Sequence, residues 1–120
     1  MDWTIPCAYA PAAKRRFHNT ARARLRQLAV ALRFAPGSFD LRSNLAGIAV
    51  SGEITLHHDA VYVQVSQSCM GVGMGVLVRT CRSRRDYTGG QNNWLPLAAL
   101  DDIPALASRV RIVMRIVLAD

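Results

Sequence analysis

The stretch Ala60-Val61-Tyr62-Val63-Gln64-Val65-Ser66 decides the fold. Three valines fall on one side of an alternating run, and Tyr62, Gln64 and Ser66 fall on the other. A period of two is what a strand with one buried face requires. Upstream, Gly47-Ile48-Ala49-Val50-Ser51-Gly52-Glu53-Ile54-Thr55-Leu56 reads as a second strand, bent at Gly52. His57-His58-Asp59 is a short connection, so the simplest pairing of the two is an antiparallel hairpin. Gln67 to Gly75 carries Gly71, Gly73 and Gly75 and reads as a loop. Gly75-Val76-Leu77-Val78-Arg79-Thr80-Cys81-Arg82 is a third strong strand, and Ser38-Phe39-Asp40-Leu41-Arg42 a weaker one. Asp86 to Asn93, with Gly89-Gly90 at its centre, is turn chemistry.

On either side of this block the period changes to that of a helix. Phe17, Ala21, Leu25, Leu28 and Leu32 fall within an arc of ~80° at 100° per residue, which predicts an amphipathic helix over 12–34. Ala35-Pro36-Gly37 is expected to end it. Asp101-Asp102 followed by Pro104 is a helix start. Ile103, Leu106, Ala107, Val110, Val113, Met114 and Val117 then share one face, with Arg111 and Arg115 on its flank. The β-branched richness of 110–117 leaves a strand as the alternative there. Consecutive strands on short links and two amphipathic helices predict an α+β two-layer sandwich. Both helices lie on one face of an antiparallel sheet of three to five strands, and the other face is left open.

The chain has 120 residues, enough for one domain with its own core, and the first eleven read as an extended leader packing back on it. Apolar residues make up 51% and charged residues 19%, which excludes a disordered chain. The longest apolar run is far short of the ~18–20 residues of a membrane span. The start is acidic and no apolar signal region follows, so a cytoplasmic protein is expected. Cys7, Cys69 and Cys81 form no C-x-x-C pair and read as reduced thiols, Cys81 as a small buried strand residue.

The charge is lopsided. Fifteen bases, all arginine except Lys14, face eight acids, for a formal net charge of +7 and a pI near 10.4. A GC-rich genome would write Arg for Lys, but it does not dictate where the charge sits. Seven bases and no acid lie between Lys14 and Arg33, and four arginines precede Asp86 from Arg79 onward. Such a chain is drawn to polyanions. On the first helix, Arg15, Arg22, Arg26 and Arg33 fall within ~40° of one another, opposite the leucine stripe, over roughly 27 Å. A rail of that kind suits a phosphate backbone or an acidic groove. A solvated helix face is the plainer reading, but such a face ordinarily mixes signs.

A second candidate surface is Arg79, Arg82, Arg84 and Arg85 running into Tyr87, the Gly-Gly turn, Asn92 and Trp94. Guanidinium forks meet phosphate, aromatic rings offer faces for base stacking, and amides read base edges. As a plain turn, the same segment would have Asp86 capping it, Gly89 at positive φ, and Tyr87 and Trp94 as lids on the core. Gly71-Val72-Gly73-Met74-Gly75 lacks the Lys-Ser/Thr and the helix of a phosphate loop. Its Met70 and Met74 are adaptable contacts for a partner. His57 and His58 point to opposite faces of a strand and read as exposed, and His18 reads as a polar surface residue. No metal-ligand spacing, no Ser/His/Asp set and no cofactor motif is present. A metal-free nuclease using one His with Arg is the enzymatic alternative.

The run Arg79-x-Cys81-x-x-Arg84-x-Asp86-Tyr87-x-Gly89-Gly90-x-Asn92, with 40–44 and 47–53 upstream, resembles small uncharacterised proteins of bacterial plasmids, integrative elements and phages. The resemblance covers roughly residues 15–115 and carries over no activity, ligand or catalytic residue. It implies an accessory protein of a mobile element. Such elements encode nucleic-acid-handling factors and also inhibitors of host defence, such as anti-CRISPR proteins, many of which are acidic mimics of DNA.

The expectation is a non-enzymatic binder of nucleic acid or of a nucleoprotein complex, through Arg15, Arg22, Arg26 and Arg33 and through Arg79, Arg82, Arg84, Arg85, Tyr87 and Asn92. The alternative is a protein–protein inhibitor of a host defence complex, acting through Tyr62, Gln64 and the Met-Gly loop. A homodimer that covers the bare sheet face is compatible with either.

Overall fold

Val61, Val63 and Val65 line one side of the middle strand of a five-stranded antiparallel sheet. The structure is a computed structural model that describes residues 1–3, 5–47, 49–67 and 74–118. The chain runs through helix α1 (Pro11–Ala31), strands β1 (Phe39–Asn44), β2 (Glu53–His58), β3 (Val61–Val65), β4 (Met74–Thr80) and β5 (Asn93–Pro96), a 3-10 turn (Leu97–Asp101) and helix α2 (Ile103–Leu118). The strands neighbour one another in chain order as a meander. Ile54, Val65 and Val76 form one cross-strand row, and Leu56, Val63 and Val78 the next. All six are buried, each worth about 1.5–3 kcal/mol against exposure.

Phe17, Ala21, Leu25, Leu28 and Ala29 of α1 and Leu106, Ala107 and Val110 of α2 close over these rows in a single core. Both helices therefore cover one side of the sheet, as the periodicities require. The C-terminal segment is helical despite its β-branched residues, because its apolar positions recur at helical spacing against the core. Asp102 Oδ1 accepts the Ala105 backbone N–H at 3.2 Å and so starts α2. The leader lies against the domain: Trp3 and Cys7 are buried, and Trp3 Nε1 donates to Asp101 Oδ1 at 2.9 Å.

Several boundaries differ from the sequence reading. The predicted strand over 47–56 begins only at Glu53. Lys14 Nζ donates to the Gly47 carbonyl at 2.9 Å and His18 Nε2 contacts the Ser51 carbonyl at 2.7 Å. Side chains of α1 thus occupy carbonyls that a sheet neighbour would otherwise take. Gly52 then turns the chain at φ +71, where a Cβ would stand 2.2 Å from the Asn44 carbonyl oxygen. His57 and His58 belong to β2, and the hairpin connection is Asp59-Ala60. β4 ends at Thr80, so Cys81 stands outside the strand, half-buried, with Sγ donating to the His58 carbonyl. β5 was not legible as a strand; it is four residues long and ends on Pro96, which an edge strand tolerates. The glycine loop over 68–73, with Met70, lies outside the described residues; Met74 and Gly75 are part of β4.

The helix boundary also moves. α1 stops at Ala31, and Arg33 adopts φ +61. Arg33 N–H bonds the Val30 carbonyl and Phe34 N–H bonds the Ala29 carbonyl, the paired bonds of a Schellman ending. Arg33 is therefore not the fourth member of a helical rail.

Candidate nucleic-acid interface

Which arginines are available depends on what each one already touches. On α1, Arg15 and Arg26 are exposed and Arg22 is half-buried beside the inner face, and among the described residues none makes an ion pair. They span about 17 Å of helix rather than the longer run that Arg33 would have completed. Lys14, the residue before Arg15, points inward and is spent on Gly47. Arg24 sits on the flank, with Nη2 3.9 Å from Asp101 Oδ1 and Nη1 donating to Gln27. On α2, Arg109 and Arg115 are exposed, while Arg111 donates to the Ala31 carbonyl at the end of α1.

The helices together give the main electrostatic feature of the molecule. α1 has 21 residues and α2 has 16, and neither contains an aspartate or a glutamate. They carry nine bases, from Lys14 to Arg115. The strands and their connections hold Asp40, Glu53, Asp59 and Asp86 against five arginines, so that side is close to balanced. The excess positive charge of the chain is thus carried by one layer.

The second group of arginines divides in two. Arg79 projects from the sheet face away from the helices, paired across the strands with Tyr62. Its guanidinium carbon stands 4.8 Å from the Tyr62 ring centroid and 5.8 Å from that of Tyr87, and Nη1 donates to Asn92 Oδ1 at 3.4 Å. Arg84 reaches Asp40 Oδ2 at 3.8 Å and Asp59 Oδ1 at 4.0 Å, and its backbone N–H also donates to Asp59. Arg79 and Arg84 therefore hold the β4–β5 connection in place. Arg82 and Arg85 are exposed and make no ion pair among the described residues. The two arginine groups lie on opposite sides of the sheet and do not merge into one surface.

The sheet face expected to be open is largely filled by the chain itself. Thr55, His57, Tyr62 and Leu77 point that way and are buried. Tyr87 stacks on Tyr62 with ring centroids 5.0 Å apart and planes at 19°. Burial pushes the Tyr62 hydroxyl up to about 12, and the hydroxyl donates to Gln64 Oε1 at 2.8 Å. Tyr62 is thus removed as a free contact for a partner. Trp94 is half-buried on this same face, beside Leu77, and is not part of the helix-side core.

His18 and His57 are buried and His58 is half-buried. His57 has Nε2 2.8 Å from Thr55 Oγ1, and its ring is edge-on to Tyr62 and Tyr87. His58, on the other face, stacks on Phe34 at 3.7 Å, and its Nδ1 accepts the Ala60 N–H. Burial holds both below the ordinary imidazole value. His18 is 3% exposed, wedged beside Phe17. Among the described residues, no three His, Cys, Asp or Glu side chains converge as metal ligands, and no helix is long and apolar enough to cross a membrane.

Comparison with protein-family models, with curated proteins and with solved structures finds no match to this chain.

Proposed function

We propose that the chain is a non-enzymatic binder of nucleic acid, either free or within a nucleoprotein complex, and that the outer surface of its two helices is the binding face. One observation carries this reading: two adjacent helices with nine bases and no acid. An exposed helix gains from opposite charges at i,i+4 and loses by like ones, and Arg22 and Arg26 stand in that like-charged relation. Stability alone gives no reason for this arrangement. Phosphates laid along the layer would relieve the repulsion and release condensed counterions.

Arginine suits the task, because its planar fork can donate two parallel hydrogen bonds to one phosphate. Arg15, Arg22, Arg26, Arg109 and Arg115 are the backbone contacts in this account.

Fluorescence anisotropy with short labelled DNA and RNA tests the proposal. Contact with about three to five phosphates gives a log–log salt slope of roughly −2 to −4.5. Charge reversal at Arg22 and Arg26 should weaken binding at least tenfold at low salt while leaving the melting temperature within a few degrees. Absence of binding at low salt overturns the reading.

A further inference from the structure

The β4–β5 connection holds one aromatic ring against the sheet and leaves its other side to solvent. Tyr87 is 43% exposed, although its inner face lies on the buried ring of Tyr62. His57 meets it edge-on at 5.6 Å, and Arg79 stands beside both tyrosines. The connection itself is pinned at several points. Arg84 bridges Asp40 and Asp59, Cys81 pairs with Gly89, and Gly90 sits against the Thr80 backbone so closely that a Cβ would meet its carbonyl oxygen at 2.3 Å. Asp86, the connection's one carboxylate, is engaged with the Thr88 backbone and hydroxyl. Arg82 and Arg85 are exposed, and Arg82 is laid along Gly89.

An aromatic ring already fixed in orientation loses little freedom when a second flat ring is laid on it. Neighbouring exposed guanidinium groups, Arg85 and Arg82 (the latter also within electrostatic reach of Asp86), add attraction for phosphate. We propose that Tyr87 is a stacking platform for one unpaired nucleobase, with Arg82 and Arg85 meeting the adjoining phosphates, so that the chain prefers single-stranded nucleic acid to duplex. The inference rests on the reading of the partner as nucleic acid, but it uses the opposite side of the sheet from the helical layer. A duplex keeps its bases stacked on one another, whereas a single strand presents each base to a protein ring.

The test compares an oligothymidine of about eight nucleotides with an abasic deoxyribose-phosphate oligomer of the same length and charge, at one salt concentration. The wild-type chain should bind the thymidine oligomer roughly 5- to 100-fold more tightly. Tyr87→Ala should bring that ratio to about one, and Tyr87→Phe should keep it. Reversal of Arg22 and Arg26 should weaken both oligomers by the same factor and leave the ratio unchanged. Equal affinity of the wild-type chain for the two oligomers overturns the stacking site while leaving the helical-layer reading standing. A ratio indifferent to Tyr87→Ala also overturns it. Failure of both oligomers to bind overturns both proposals. If Tyr87→Ala does not fold, the wild-type ratio and Tyr87→Phe still decide the matter.

Discussion

Arg111 of α2 donates to the main-chain oxygen of Ala31, the last residue of α1. The guanidinium thereby meets the end of a helix where unsatisfied carbonyls and the negative pole of the dipole coincide. Arg109, two residues earlier, faces outward. Two arginines on one helix thus have different work: one joins the layer together and the other charges its surface.

Arg111→Ala should therefore cost about 1.5–3 kcal/mol, the range for hydrogen bonds to charged groups, and lower the urea midpoint. Arg109→Ala should leave the midpoint within experimental error. Equal effects from the two would contradict the division of roles.

Arg33 occupies a left-handed conformation at φ +61, where a side chain is strained and glycine is not. Arg33→Gly should raise stability, since an L side chain in this conformation costs roughly 1–2 kcal/mol, part of it offset by the chain freedom glycine adds when unfolded. It should also reduce nucleic-acid affinity less than Arg26→Ala does, because Arg33 stands off the helix. Thermal melts together with anisotropy on the two variants check both halves.

Stability should depend on pH through the two strand histidines. Burial, the largest cause for each, holds His57 and His58 below their ordinary value of 6.5 in the folded chain. The unfolded chain takes up these protons first, so protonation favours unfolding. Their contribution is fully present above pH 6.5 and is lost as pH falls through the lower folded values. Urea midpoints at pH 7.5 and pH 5.0 should show the decline, and His57→Gln with His58→Gln should make it shallower. A midpoint that rises on acidification would reverse the sign of this account.

Gly90→Ala should destabilise the β4–β5 connection severely, because the added methyl collides with backbone atoms of Thr80 rather than with a yielding side chain. Overpacking of this kind costs about 1–3 kcal/mol, and Tyr87 should lose its fixed place at the same time. Near-ultraviolet circular dichroism, which reports the tyrosine environments, follows the second effect.

Much of this architecture was legible because it repeats. The alternation of Val61, Val63 and Val65 fixed β3, and the spacing of Phe17, Ala21, Leu25 and Leu28 fixed the inner face of α1. The burial of His18 was also within reach: it stands seven residues before Leu25, on the same helical arc, and its polarity concealed this. Lys14 stands seven residues before Ala21 in the same way. The commitments of Arg84 were not legible, since Asp59 and Asp40 are brought to it only by the folded sheet. Nor was the stack of Tyr87 on Tyr62, which depends on how the β4–β5 connection folds back. The strand misread over 47–52 was apolar enough to look like sheet, but side chains of α1 hold its carbonyls.

Binding through the helical layer requires that its arginines meet phosphates. The direct measurement is the slope of log affinity against log salt for the wild-type chain and for single Arg→Ala variants. Each of Arg15, Arg22 and Arg26, when removed, should flatten the slope by about 0.7–0.9, while Arg84→Ala should leave it unchanged. A slope near zero for the wild-type chain, or one indifferent to the α1 arginines, would contradict it.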